Sequence, residues 1–269
     1  MIIKTTAIAL RLHPYSRTSR VVTWLTPDYG RIVTVIKGAC RAKSAFLGQY
    51  DLAMRCELLF YRREHGGVHI ARECSPLAYR PHLRTDWRGA VAAGYLCELV
   101  NRVSVPMLAA PEAFALLDQT LDALDSGAAP IPVILRFEFA LLESLGLAPD
   151  FAPCADCTIT SGNRPCRFLL PAGRLRCFHS RGHQPDGSSV AIDETGLAAL
   201  RAWQQPETEE LEHHPPTSAT VETTTMVRRF LGMFLQCHLD MPMTARQAAF
   251  AWLDTKLETK HECDETQAG

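Results

Sequence analysis

The chain is 269 residues long, with 47% hydrophobic and 21% charged residues. That is enough for a real core and two or three small units, and the composition is that of a globular protein. No apolar run approaches the roughly 18 residues of a membrane span. The opening Met1-Ile2-Ile3-Lys4-Thr5-Thr6 lacks the parts of a secretory signal, so the expected location is the cytoplasm. The net charge of −1 hides an asymmetry. Residues 1–84 hold 14 Lys+Arg against 5 Asp+Glu, and residues 85–269 hold 14 against 24, giving balances of +9 and −10. Such a split points to a polyanion-binding end.

The first segment reads as strands. Residues 6–12 alternate apolar with small or polar side chains, and residues 21–26 are β-branched and aromatic. Pro27-Asp28-Tyr29-Gly30 is a turn signal, and residues 31–36 complete a hairpin. Two further strands are expected near residues 52–62 and 68–74, joined at Glu64-His65-Gly66-Gly67. Five short strands in this length suit a small closed barrel such as the OB-fold.

Near Pro81 the apolar period changes from 2 to 3.6. Helices are expected over 87–102, over 111–126 with Pro-Glu at its start, and over 131–145, the last apolar on most sides and so central. Two more are expected over 226–238 and 244–257. Residues 204–225, polar and acidic with three prolines, read as a flexible loop, and the end of the chain as disordered. The fold class is therefore α+β. An OB-fold barrel spans 1–80, a helical domain spans 81–150 and 190–258, a zinc-finger-like insert spans 151–188, and a tail spans 259–269.

Four of the ten cysteines lie between Cys154 and Cys177. Cys154-Ala155-Asp156-Cys157 is a CxxC turn, and Cys177 follows after nineteen residues, an interval that fits a two-pair structural zinc site. Ser180 stands where a fourth thiolate belongs. His183 is the first choice for that ligand, with His179 and Cys166 next. A redox CxxC lacks its βαβ context here. A hairpin of residues 166–170 and 175–178 would hold the metal. The six remaining cysteines are scattered singly, as small buried hydrophobes would be.

The basic residues of the first segment punctuate strands and turns. Arg20 closes the turn that begins at Arg17, and Lys37, Arg41 and Lys43 sit in a loop rich in Gly and Ala. Small residues let a backbone approach phosphates that Lys and Arg neutralise. Tyr15, Trp24 and Tyr29 are candidate stacking faces, with barrel core the competing assignment for Trp24. No P-loop, GxGxxG, GxSxG or kinase motif is present, and the histidines have no evident nucleophile or carboxylate partner. An enzyme is not expected.

Three stretches together resemble the bacterial RecO recombination mediators. One is Ser19-Arg20-Val21-Val22-Thr23-Trp24-Leu25-Thr26-Pro27-Asp28-Tyr29-Gly30, continuing at Val35-Ile36-Lys37-Gly38-Ala39-Cys40-Arg41-Ala42-Lys43-Ser44. The second is Arg136-Phe137-Glu138-Phe139-Ala140-Leu141-Leu142-Glu143-Ser144-Leu145-Gly146-Leu147-Ala148-Pro149-Asp150, leading into the CxxC. The third is 226–253, with Arg228-Arg229-Phe230-Leu231. The missing fourth Cys and the acidic insertion depart from the pattern. The resemblance implies an OB-fold, a helical domain and a zinc-finger-like insert, without catalysis. It implies binding of single- and double-stranded DNA, annealing of complementary strands, and loading of RecA onto DNA coated by single-strand-binding protein (SSB), together with RecR, at the bacterial nucleoid. The competing reading is an adaptor whose basic surfaces take acidic peptide tails, such as that of SSB. Arg102, Arg136, Arg228 and Arg229 are the candidate rims of its groove.

Overall fold

The computed structural model describes residues 1–63, 67–152, 166–177, 188–206, 213–239 and 242–255. Five strands form a closed barrel: β1 (Ile2–Pro14), β2 (Arg20–Thr26), β3 (Gly30–Ile36), β4 (Arg55–Tyr61) and β5 (His69–Ala78). Their order around it is β1-β2-β3-β5-β4. The long first strand makes closure possible. Its first half pairs with β4 and its second half with β2, with a register shift between Ala9 and Arg11 where the strand changes partner. β3 and β5 run parallel, pairing Thr34 with His69 and Val35 with Ile70. Alternate residues fill the interior, among them Val22, Trp24, Ile32, Ile36, Leu58 and Phe60. The Trp24 indole donates to Thr34 Oγ1 at 2.9 Å, so this ring is satisfied inside the barrel and is no stacking platform.

A 3-10 turn (His82–Arg84) leads into α1 (Trp87–Val103), capped by the Asp86 carboxylate accepting from the Arg88 and Gly89 amides. α2 (Pro111–Asp125) and α3 (Pro130–Ser144) each begin on proline, whose missing N–H costs nothing at that position. The middle of α3 is buried on nearly every side, as its apolar periodicity requires. A hairpin of β6 (Cys166–Leu169) and β7 (Arg174–Cys177) turns at Gly173, where φ is +64°. β8 (Ser189–Ile192) pairs with β6 to give the order β7-β6-β8. Phe168 carries this small sheet into the helical core, edge-on to Phe230 at 5.0 Å and beside Phe151 at 5.5 Å. α4 (Glu194–Gln204), α5 (Val221–Leu239) and α6 (Thr244–Asp254) complete the chain.

Two expectations are corrected. The supposed flexible loop ends early, because residues 221–225 already form the first turn of α5 and a Thr220–Thr223 hydroxyl–amide exchange caps it. β8 and α4 were not expected as elements. Asp193 nucleates α4 by accepting from the Gly196 amide at 2.7 Å.

Barrel and helices share one core. Ile8, Leu10 and Leu25 belong to the same buried cluster as Leu96, Val100 and Phe139. Backbone joins backbone at the β2–β3 turn, where Met107 N–H donates to Arg31 O and Ala110 N–H to Pro27 O. Gly30 is required there: its φ is +55°, and a Cβ would lie 1.9 Å from Leu108 O. Arg80, with φ +50° and almost no exposure, donates to Asp122 at 2.8 Å, to Asp118 and to Ala53 O. Arg55 pairs with the same Asp118. These contacts fix the barrel to α2.

Candidate nucleic-acid interface

The fourteen basic residues before position 85 sort into two sets once their partners are known. Lys4, Arg55, Arg72, Arg80 and Arg84 are engaged by Glu57, Asp118, Glu73, Asp118 with Asp122, and Asp51. Arg31 donates to Ser104 O at 3.1 Å. Among the described residues the other cations of this segment meet no carboxylate within ion-pair distance. They include all four expected site residues, Arg20, Lys37, Arg41 and Lys43, and each of these is exposed.

Those four converge for local reasons. Arg20 opens β2 directly opposite Ile36, the last residue of β3, and Lys37 follows Ile36. The 37–54 connector then winds in successive tight turns, with Arg41 N–H donating to Gly38 O, Ser44 N–H to Arg41 O and Leu47 N–H to Ser44 O. Gly38, at φ +70°, makes the first of these turns, and the Arg41 side chain lies 3.4 Å from where a Cβ would be. Two bonds clasp the connector to the β1–β2 turn: Cys40 N–H to Thr18 O at 3.1 Å and Gly38 N–H to Ser19 Oγ at 3.4 Å. Ala39 is buried beneath them as a plug in the barrel core. One end of the barrel thus presents four charges that no carboxylate among the described residues compensates, on a pinned scaffold.

Tyr50, in the same connector, supports this end from below. Its ring stands 6.0 Å from Trp24. Burial pushes its hydroxyl pKa up, and the nearby Arg20 charge opposes that rise. Of the other candidate stacking rings, Tyr15 is 68% exposed, whereas Tyr29 is half-buried, edge-on to Phe60.

The remaining candidates divide differently. Cys154, Cys157, His179 and His183 lie outside the described residues. Cys166 and Cys177 stand directly opposite each other in the β6–β7 register. Of the proposed groove rims, Arg136 is buried and donates to Ala202, Trp203 and His214 carbonyls, so it cannot meet a ligand. Its position on the central helix hid this: the carbonyls it satisfies come from the C-terminal turn of α4 and from His214, both distant in sequence. Arg228 pairs with Asp254 at 2.7 Å and lies over Phe250, and Arg102 pairs with Glu98. Arg229 is exposed, beside an apolar cleft of about 640 Å³ between β8 and α5. Sequence reasoning passed over Arg62 and Arg63, exposed cations just beyond β4. The signal available was two arginines directly before a glycine-rich turn.

Comparison with known proteins fits this architecture. The family model described as "Recombination protein O N terminal" matches residues 1–80, and "Recombination protein O C terminal" matches residues 84–247. The chain belongs to the RecO family. Proteins named "DNA repair protein RecO" are similar to it over most of their length. That of Roseiflexus sp. is 31% identical, covering 87% of this chain and 81% of its own. That of Anaeromyxobacter sp. is 33% identical, covering 91% and 94%. That of Acidithiobacillus ferrooxidans is 30% identical, covering 92% and 90%. Family membership places the chain in DNA repair and recombination. Among the described residues no helix is long and apolar enough to cross a membrane.

Proposed function

We propose that this chain is a non-enzymatic recombination mediator. It binds single- and double-stranded DNA through its barrel, anneals complementary strands, and with RecR helps load RecA onto SSB-coated DNA. The barrel, in this reading, is of the OB type. The observation that carries the proposal is the cluster of Arg20, Lys37, Arg41 and Lys43, exposed without carboxylate partners among the described residues, at one end of a closed five-stranded barrel. Cations that no carboxylate neutralises release counterions when they meet phosphate, so binding weakens as salt rises. Annealing follows from the same chemistry, since two polyanions approach only when their charge is screened by the protein.

The test is single-strand affinity as a function of salt. Four phosphate contacts contribute about −2.8 to the log–log slope on single strands. Lys37→Glu with Arg41→Glu is expected to flatten it by about 1.4 and to slow annealing in parallel. Unchanged affinity and slope would refute the assignment. We further propose a structural zinc held by Cys154, Cys157, Cys177 and His183, with His179 or Cys166 as the alternative fourth ligand. Three thiolates and an imidazole are an ordinary zinc donor set. Metal analysis of purified protein beside Cys154→Ser and Cys177→Ser tests it, and a metal-free, stably folded wild type ends it.

A second reading concerns SSB's acidic tail. An open cleft of about 470 Å³ between α1, the end of α3 and α5 joins apolar Val103, Leu145, Leu147 and Leu239 to Arg102 and His238. That pairing of apolar floor and basic rim suits a short acidic peptide. Titration of such a peptide into the full chain, with Arg102→Glu as the control, decides it.

A further inference from the structure

The outer surface of the barrel carries a row that the four-cation cluster does not explain. In the strand registers Ile2 lies opposite Tyr61, Tyr61 opposite Ile70, Ile70 opposite Val35, and Val35 opposite Val21. Their neighbours along the strands, such as Phe60 and Val22, point into the core, so this row lies on the outer side of the barrel, where Ile70 is half-buried and Val35 is buried. Tyr61 is 42% exposed and Ile2 45% exposed. Arg62 and Arg63 follow Tyr61 immediately, both exposed and, among the described residues, without a carboxylate partner.

This place is built rather than frayed. Arg62 N–H donates to Met1 O at 3.0 Å, which ties it to the start of β1. Arg63 N–H donates to Nδ1 of the buried His69 at 3.2 Å, and the His69 ring packs on Phe60 with centroids 5.3 Å apart. An imidazole accepting at Nδ1 is neutral. Burial, followed by the charges of Arg62 and Arg63, holds its pKa below the ordinary value and keeps it so. The row also reaches the first cluster. Val35 lies two residues before Lys37, and Tyr61 lies two strands from Val35, about 10 Å at the usual strand spacing.

We propose that Arg62, Arg63 and Tyr61 form a second nucleic-acid contact, specific to single strands, on the same side of the barrel as the Lys37 cluster and joined to it past Ile70. This rests on the DNA-binding reading above and adds a direction and a strand preference to it. Phosphates meet cations at both ends of the row. Between them, the strand passes over the half-buried Ile70 and one unstacked base stacks on Tyr61. A duplex keeps its base faces covered and gains only the charge. His69 is a positioning residue here, since it touches no base and acts by holding the Arg63 backbone.

The test compares full-length variants on an oligo(dT) and on a duplex of equal length. Arg62→Gln with Arg63→Gln is expected to flatten the single-strand salt slope by about 1.4. Tyr61→Ala is expected to weaken single-strand binding about 5- to 150-fold, with Tyr61→Phe near wild type and duplex affinity nearly unchanged. Photo-crosslinking of a bromodeoxyuridine oligonucleotide should mark the peptide that contains Tyr61. Lys37→Glu with Arg41→Glu runs alongside. If that pair weakens binding while the Arg62 and Arg63 variant and Tyr61→Ala bind as wild type, the second contact is wrong and the first reading stands. If neither set matters, both fall. Equal loss on duplex and single strand from Tyr61→Ala overturns the stacking role.

Discussion

Glu138 has no exposed surface, yet it carries a carboxylate between α1, α3 and α6. Three hydrogen bonds hold it: from Arg246 Nε at 2.7 Å, from Arg246 Nη2 at 2.9 Å, and from the Tyr95 hydroxyl at 2.6 Å. Burial first, and then the Glu138 charge, push the Tyr95 hydroxyl well above its ordinary pKa, so it stays a donor. Arg246→Met removes two of the three bonds and the counter-charge while roughly keeping the stem volume. Stranding a buried charge in this way costs about 3–5 kcal/mol. At about 2–4 °C per kcal/mol for a chain near this size, Tm falls by about 6–20 °C. Glu138→Leu strands the arginine and costs a similar amount. The double variant buries no charge, so it is expected to be more stable than either single change, and Tyr95→Phe added to it removes the hydroxyl left without its acceptor. Urea unfolding followed by far-UV circular dichroism measures all four. If the double variant is no more stable than the singles, the stranded-charge reasoning fails. The cost then lies in lost packing, such as the Arg246 guanidinium 4.7 Å from the Phe250 ring centroid.

Gly30→Ala drives a Cβ into Leu108 O and forces a left-handed residue, so a loss of at least about 2 kcal/mol is expected, read as an earlier urea midpoint. Arg80→Met takes the partner of the half-exposed Asp122 and leaves Asp118 with Arg55 alone. Limited proteolysis is expected to separate barrel from helices faster, and an unchanged cleavage rate would refute the clasp. His69 refuses a proton that the unfolded chain accepts, because its folded pKa lies below 6.5. Its neutral state therefore carries no penalty above pH 6.5, and stability falls as pH drops from there towards the folded pKa. Between pH 7.5 and 5.5, His69→Asn should lose less stability than wild type.

Patterned burial made most elements legible. β2, β3, α1, α2 and α3 begin and end within a residue or so of the expected bounds, because β-branched runs, a Pro-Asp-Tyr-Gly turn, Asp86 and two N-terminal prolines are local signals. β1 extends beyond residues 6–12 because its ends are held by two different partners, which no local pattern encodes. α4 follows a cysteine- and glycine-rich stretch that masked its short apolar stripe, and β8 exists only as a partner to β6. The site was legible as composition. Which cations stay uncompensated was not, because Arg20 and Arg80 look alike until Asp118 and Asp122, some forty residues beyond Arg80, fold beside one of them.

That sorting also explains how a chain of net charge −1 can hold a polyanion. The acidic half does not dilute the basic half uniformly. Asp118 and Asp122 of α2 meet the barrel where it joins the helices, and they engage Arg55 and Arg80 there. Acidic charge is therefore spent at the joint, by groups pinned in a shared core. The 37–43 connector, clasped to the β1–β2 turn, makes no such contact among the described residues. The field at that end is set by groups within a Debye length, about 8 Å at physiological salt, and is little affected by the distant carboxylates that bring the total to −1. It follows that moving a carboxylate near the connector should matter more than the same charge placed on the helices. Ser44→Asp, beside Lys43, is expected to weaken single-strand binding. Gln247→Asp, exposed on α6, is expected to leave it unchanged, and equal effects from the two would refute the local-field argument.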